Sequence, residues 1–181
     1  MRAVLDRAAV FIDGAYLDKA REHLGNPRLD YRILSDKVCG QVERFRTYYY
    51  HCLPFQATPP TRDQSERYSA MDRFVASLRR LPRFEVRLGR LQFVDGVYRQ
   101  KGVDTLLTLD LAELAGTGPI SHAVVITADS DLVPVFRRAR DRGILVSLSY
   151  LPGTGVHTEL LEACDDRTPL SQEFLQDCLR A

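Results

Sequence analysis

The sequence predicts an α/β fold: a three-layer sandwich with a mostly parallel central sheet and helices on both faces. Two observations carry this. Short apolar runs, AAVFID at 8–13, HAVVIT at 122–127 and ILVSLSY at 144–150, alternate with stretches of helical periodicity. Continuous apolar runs of that length suit strands buried on both faces, and parallel strands need helical crossovers to join them.

Each element has its own signal. After Gly14, residues 15–24 place Tyr16, Leu17, Ala20 and Leu24 on one helical face, and Gly25-Asn26-Pro27 stops that helix. Residues 31–42 predict a second helix. FRTYYYHCL at 45–53 is aromatic and β-prone, hence a strand. Residues 54–61 hold three of the nine prolines and predict an exposed loop. Helical spacing resumes over 62–81 through Tyr68, Met71, Phe74, Val75 and Leu78, and Pro82 closes it. Residues 84–90 predict a strand, and Asp95-Gly96 between LQFV and VYRQ is a two-residue hairpin signal. Gly102-Val103-Asp104 opens a helix through Leu106, Leu107, Leu109, Leu111 and Leu114 that ends near Gly116. Residues 131–142 predict a helix stopped by Gly143. The tail, 156–179, predicts one or two short helices. Repeats, low-complexity stretches and linkers are missing, so the reading is one domain over 1–181, with its core at about 8–151.

Composition narrows the function classes. With 181 residues and 45% hydrophobic content the chain can bury an ordinary core. The formal net charge is +1, so a nucleic-acid contact would need a local patch rather than a whole-molecule field. Of the 25 cationic residues only Lys19, Lys37 and Lys101 are lysine. Arginine suits phosphate because its planar fork donates in pairs, although codon bias explains such a skew as well. Cys39, Cys52, Cys164 and Cys178 form no C-x-x-C pair, and the apolar part of MRAVLDRAAVFID is too short for a signal peptide or membrane span. A cytoplasmic protein with free thiols and no membrane association is expected.

The chemistry collects at strand exits. Asp13 ends the first apolar strand, and Asp129 and Asp131 follow HAVVIT in the turn TADSD. Asp104 stands in the first turn of the GVD helix. In a doubly wound sheet these places converge on the carboxyl edge, where ligands bind. Taken singly, Asp104 and Asp129 are equally good helix caps. Together, the acids would repel unless a cation shared the site, and Mg²⁺ or Mn²⁺ supplies that compensation through carboxylate oxygens and water. The histidines, His23, His51, His122 and His157, lack metal-ligand spacing and read as structural, and no Ser-His-Asp or Cys-His pattern competes.

Four segments, VFIDGAYL, KGVDTLLTLDLAELA, HAVVITADSDLVPVFRRARDRGILVSL and VHTELLEACDDRTPLSQEFL, resemble the NYN domain, a PIN-like nuclease fold, in its LabA-like branch. The resemblance runs from about Val10 to Phe174, and its specific parts are K-G-x-D and T-x-D-x-D-x-x-P. It implies a Mg²⁺- or Mn²⁺-dependent ribonuclease hydrolysing RNA phosphodiester bonds. Asp13, Asp104, Asp129 and Asp131 match the catalytic and metal-ligating acids. Asp110 matches a secondary family acid, although its spacing turns it away from the face of Asp104. Thr127 matches the hydroxyl of the [ST]-G-D-x-D motif and Lys101 the basic residue before G-x-D, both as substrate contacts. Tyr16, a further candidate for substrate binding, stands where the family often has Asn, and Ala128 replaces the usual Gly. Arg137 opens the basic helix run and is a further substrate candidate, with a solvated helix face as the bland alternative.

RNA is the expected partner, with DNA and self-association left open. The rival reading is a binding or regulatory module that keeps the fold but not the turnover, motivated by Tyr16 and the near-neutral charge. An aspartyl-phosphate phosphatase needs a second Asp where Ala15 stands, and ADSDL lacks the D-x-S-x-S of an adhesion site.

Overall fold

The structure, a computed structural model, describes residues 6–94 and 97–180. The hairpin turn expected at Asp95-Gly96 lies outside the described residues. Six parallel strands form one sheet: β1 (Arg7–Asp13), β2 (Glu43–His51), β3 (Phe84–Leu88), and further strands β6 (His122–Ile126), β7 (Leu145–Tyr150) and β8 (Asp166–Pro169). Their order across the sheet is β3-β2-β1-β6-β7-β8. A separate antiparallel hairpin pairs β4 (Arg90–Val94) with β5 (Val97–Lys101). Among the described residues the helices are α1 (Gly14–His23), α2 (Tyr31–Val38), α3 (Arg62–Arg79), α4 (Val103–Thr117), α5 (Val133–Asp141), α6 (Thr158–Glu162) and α7 (Gln172–Gln176). This is the three-layer α/β sandwich that the alternation of runs and helices requires.

β1 is central, and Ala8 to Ile12 are wholly buried. Its residues divide by parity, as a strand's must. Ala9 and Phe11 face one core with Leu107 and Leu111 of α4 and Phe136 and Ala139 of α5. Ala8, Val10 and Ile12 face the other, with Leu17 of α1, Leu34 of α2, Leu78 of α3 and Leu175 of α7. Each Val, Leu, Ile or Phe among them contributes about 1.5–3 kcal/mol by leaving water.

Local chemistry sets the helix starts. Thr61 and Gln64 form a reciprocal capping box at α3. α4 instead starts at Gly102, whose φ of 86° places it in the left-handed region and whose missing side chain supplies no cap. α5 begins later than periodicity suggests, because a 3₁₀ turn over Ser130–Leu132 precedes it.

One element differs from expectation. The tail contains α6 and α7, and between them the four-residue strand β8. DRTP has no apolar alternation, and Pro169 cannot donate to a ladder. Both are tolerated because β8 is an edge strand paired only with β7. No helix among the described residues is long and apolar enough to cross a membrane.

Candidate active site

The strand order reverses direction at β1. The chain leaves β1 outward through β2 and β3, then returns to lay β6 on the other side of β1. Such a switch point leaves a crevice beyond the carboxyl ends of the two strands. Asp13 is the last residue of β1, and Thr127 to Asp131 leave β6 at the same edge. The crossover into β6 is α4, so its N-terminus, with Asp104 in the first turn, begins at that edge.

Thr127 ties the two strands together. Its wholly buried hydroxyl donates to Asp13 Oδ2 at 3.3 Å and accepts the Asp129 backbone N–H at 3.1 Å. Asp13 Oδ1 accepts the Tyr16 N–H at 3.1 Å, capping α1. Asp129 Oδ1 accepts the Asp131 N–H at 2.9 Å, capping the 3₁₀ turn. Two of the acids are therefore held by backbone donors in defined orientations. Burial, and then the charge of Asp129, push the Asp13 carboxyl above its ordinary value, while the Tyr16 N–H, the Thr127 hydroxyl and His51 act in the opposite sense.

Asp104 does not cap its helix, since the cap position is Gly102 and makes no side-chain bond. The capping explanation that applies to Asp129 thus fails for Asp104. Its carboxyl is pushed up first by desolvation and then by the charges of Asp129, Asp13 and Asp131. Carboxylates from β1, from α4 and from the turn after β6 therefore share one electrostatic neighbourhood.

Does this donor set fit a metal ion? Among the described residues no three His, Cys, Asp or Glu side chains are gathered closely enough to form a ligand cage. A cage is what a structural zinc or calcium site needs. Mg²⁺ usually keeps several waters and takes only one or two carboxylates, with substrate phosphates completing its shell. Mutually repelling hard oxygen donors fit that mode, with Asp13 and Asp104 the acids that gain most from a shared cation.

The other residues singled out from sequence lie in different settings. Asp110 is apart from the acids: it accepts the Tyr50 hydroxyl at 2.8 Å and pairs with Arg87 at 3.3 Å. Its six-residue offset from Asp104 turns it toward β2 and β3. Arg137 is paired with Glu159 at the head of α6, at 3.2 Å, so its charge is already matched. Lys101 ends β5, exposed, two residues before α4. Tyr16 uses its hydroxyl to accept the Leu151 N–H at 2.8 Å, and lies 3.4 Å from Thr154 Oγ1. It fastens the loop after β7 to α1.

His51 is a residue that the sequence reading set aside as structural. It is the last residue of β2, with Nε2 3.2 Å from Asp18 and Nδ1 2.7 Å from the Cys52 carbonyl. Its Cδ2 would lie 2.6 Å from a Cβ added to Gly14, and its charge draws the Asp13 carboxyl down. The strand-exit rule that selects Asp13 would have selected His51, had it been applied to bases as well as acids. The cysteines offer no rival nucleophile. All four are free and buried, and burial pushes Cys39 and Cys164 up to about 12.

Residues 7–171 match the NYN domain family. The chain belongs to that family. NYN domains are generally nuclease-like. A curated relative of this NYN chain, the uncharacterized protein y4oD of Sinorhizobium fredii, is 36% identical over 80 residues. That match takes in 44% of the chain but only 37% of y4oD. Among solved structures, VPA0982 from Vibrio parahaemolyticus, a protein of unknown function, superposes with a TM-score of 0.66 at 18% identity. The superposition covers 99% of the NYN chain and all of VPA0982, and it speaks to the fold alone.

Proposed function

We propose that this NYN domain, of the LabA-like branch, is a ribonuclease that hydrolyses RNA phosphodiester bonds with Mg²⁺ or Mn²⁺ held at the β1–β6 switch point. The observation that carries the reading is the convergence at Asp104, whose carboxyl is raised first by burial and then by the charges of three acids from two other elements. Such repulsion costs stability until a cation offsets it. A bound divalent ion supplies an activated water and neutralises charge developing on the phosphate. Asp13 and Asp104 would hold it, with Asp129 and Asp131 within electrostatic reach to orient its waters. Thr127 keeps Asp13 and Asp129 in fixed relation. The four buried thiols suit a reducing cytoplasm.

Purified protein should cleave labelled RNA with Mg²⁺ or Mn²⁺ and stop on chelation. Asp13→Asn and Asp129→Asn should each lose orders of magnitude in rate with the fold intact, and cleavage undiminished in both variants would refute the reading. The second reading, a binding module without turnover, draws on two facts. The described residues form no closed ligand cage, and the Tyr16 hydroxyl is committed to a loop rather than open to substrate. Metal binding with no cleavage of any RNA or DNA tested would favour it.

A further inference from the structure

The acids alone do not say by which side a substrate strand reaches them. α5, with its run of arginines, is the obvious candidate, yet two of its three guanidinium groups are matched. Arg137 pairs with Glu159, and Arg140 pairs with Asp165 at 3.0 Å. The opposite flank is different. The β4–β5 hairpin runs directly into α4, and a cavity of about 740 Å³ lies between them. Arg90, Gln92, Lys101 and Thr105 are among its lining residues, and Thr105 adjoins Asp104. Arg90 and Lys101 have no acid partner among the described residues, so two positive charges face an open groove beside the acid site.

The same flank carries an aromatic pair. Phe55, in the loop after β2, and Tyr98, in β5, stack with ring centroids 4.0 Å apart and planes at 23° to each other. They are 36% and 41% exposed, although most aromatic side chains here lie in the two cores or pack against them. The pair joins the loop to the hairpin, and Cys52 at the start of that loop meets the hairpin's foot: a Cβ on Gly89 would lie 3.0 Å from Cys52 Sγ and 2.8 Å from the Lys101 carbonyl and from Val103. An exposed stacked pair on the hairpin that also carries unmatched cations combines a π-surface for a base with charge for the backbone, which is the chemistry that holds unpaired nucleic acid. A duplex hides its base faces and could use only the charges.

We propose that the Phe55–Tyr98 pair and the Arg90–Lys101 groove form the entry platform for a single-stranded segment of substrate, an unpaired base continuing the aromatic stack and the backbone lying along the groove toward Asp104. The proposal rests on the nuclease reading for its substrate, but it is tested by binding alone. Anisotropy of a fluorescein-labelled single-stranded RNA and of its blunt duplex would be measured with the full chain in EDTA, so that nothing is cut. Wild type should bind the single strand at least tenfold more tightly than the duplex. The double variant Phe55→Leu/Tyr98→Leu, which keeps apolar bulk, should lose about tenfold or more on the single strand and little on the duplex. Arg90→Ala/Lys101→Ala should weaken both and flatten the salt dependence, whereas Arg137→Ala should change neither. Circular dichroism of each variant separates loss of binding from loss of fold.

Equal affinity for strand and duplex, or single-strand affinity unchanged in the leucine variant, would overturn the platform. Metal-dependent cleavage persisting beside such a result would leave the nuclease reading standing. Platform-dependent binding without cleavage under any metal would do the reverse.

Discussion

Thr127 donates its hydroxyl to Asp13 across the join of β1 and β6, at 3.3 Å, from a wholly buried position. That bond draws the Asp13 carboxyl down against the burial that raises it. Thr127→Val should therefore let the carboxyl rise further. The acidic limb of the pH–rate profile should move to higher pH, with a loss on the order of tenfold below neutrality, since a bond to a charged group is worth roughly 1.5–3 kcal/mol. Thr127→Ser should restore the profile. An unmoved limb in the valine variant would show that Asp13 does not control the rate.

Asp104 gives a stability prediction whose sign is fixed. A carboxyl raised above its ordinary 3.8 binds its proton more tightly folded than unfolded. Stability is then greatest below that value and declines as pH rises through the raised one. In EDTA at pH 7, Asp104→Asn should melt above wild type, and the difference should vanish near pH 3. Adding Mn²⁺ should reverse the order, because a ligand stabilises only the protein that binds it. Thermal melts at two pH values, with and without Mn²⁺, check this.

Gly14 joins Asp13 to α1 and has no room to spare. A Cβ there would stand 2.5 Å from the Tyr49 hydroxyl and 2.6 Å from the His51 ring. Tyr49 is wholly buried and packed against Tyr31 and Phe74, so it cannot swing aside. Gly14→Ala should cost about 1–3 kcal/mol and reduce activity further, because the displaced helix carries the N–H that orients Asp13. Denaturant unfolding and single-turnover rates measure the two effects.

Tyr16→Phe should leave the Leu151 N–H without its acceptor and cost about 1–3 kcal/mol. The loop at 151–155 should become the first site of limited proteolysis. Tyr16→Asn, the residue often found in the family, should free the loop in the same way. A loop equally resistant in both variants would mean that the hydroxyl does not secure it.

Much of the fold was legible because its central strands are buried on both faces. AAVFID and HAVVIT could hardly be anything else once helices alternate with them. β8 was not legible: DRTP is held by its position beside β7 rather than by side-chain pattern. Of the candidate site, Asp13, Asp104 and Asp129 could be placed by the strand-exit rule together with the K-G-x-D and T-x-D-x-D spacings. The roles of Tyr16 and Arg137 could not, since their partners Leu151 and Glu159 are distant in sequence. His51 was passed over because a lone histidine gives no spacing signal. Phe55 and Tyr98 meet only when the hairpin folds back on the proline-rich loop.

Asp104 and Asp110 share one helix, yet one faces the acids and the other pairs with Arg87. Calorimetric titration of Mn²⁺ into Asp104→Asn and Asp110→Asn therefore isolates the shared-cation site. Affinity should fall at least tenfold in the first and stay within twofold of wild type in the second. Equal affinity in the two variants, or a loss confined to Asp110→Asn, would contradict a cation held at the β1–β6 edge.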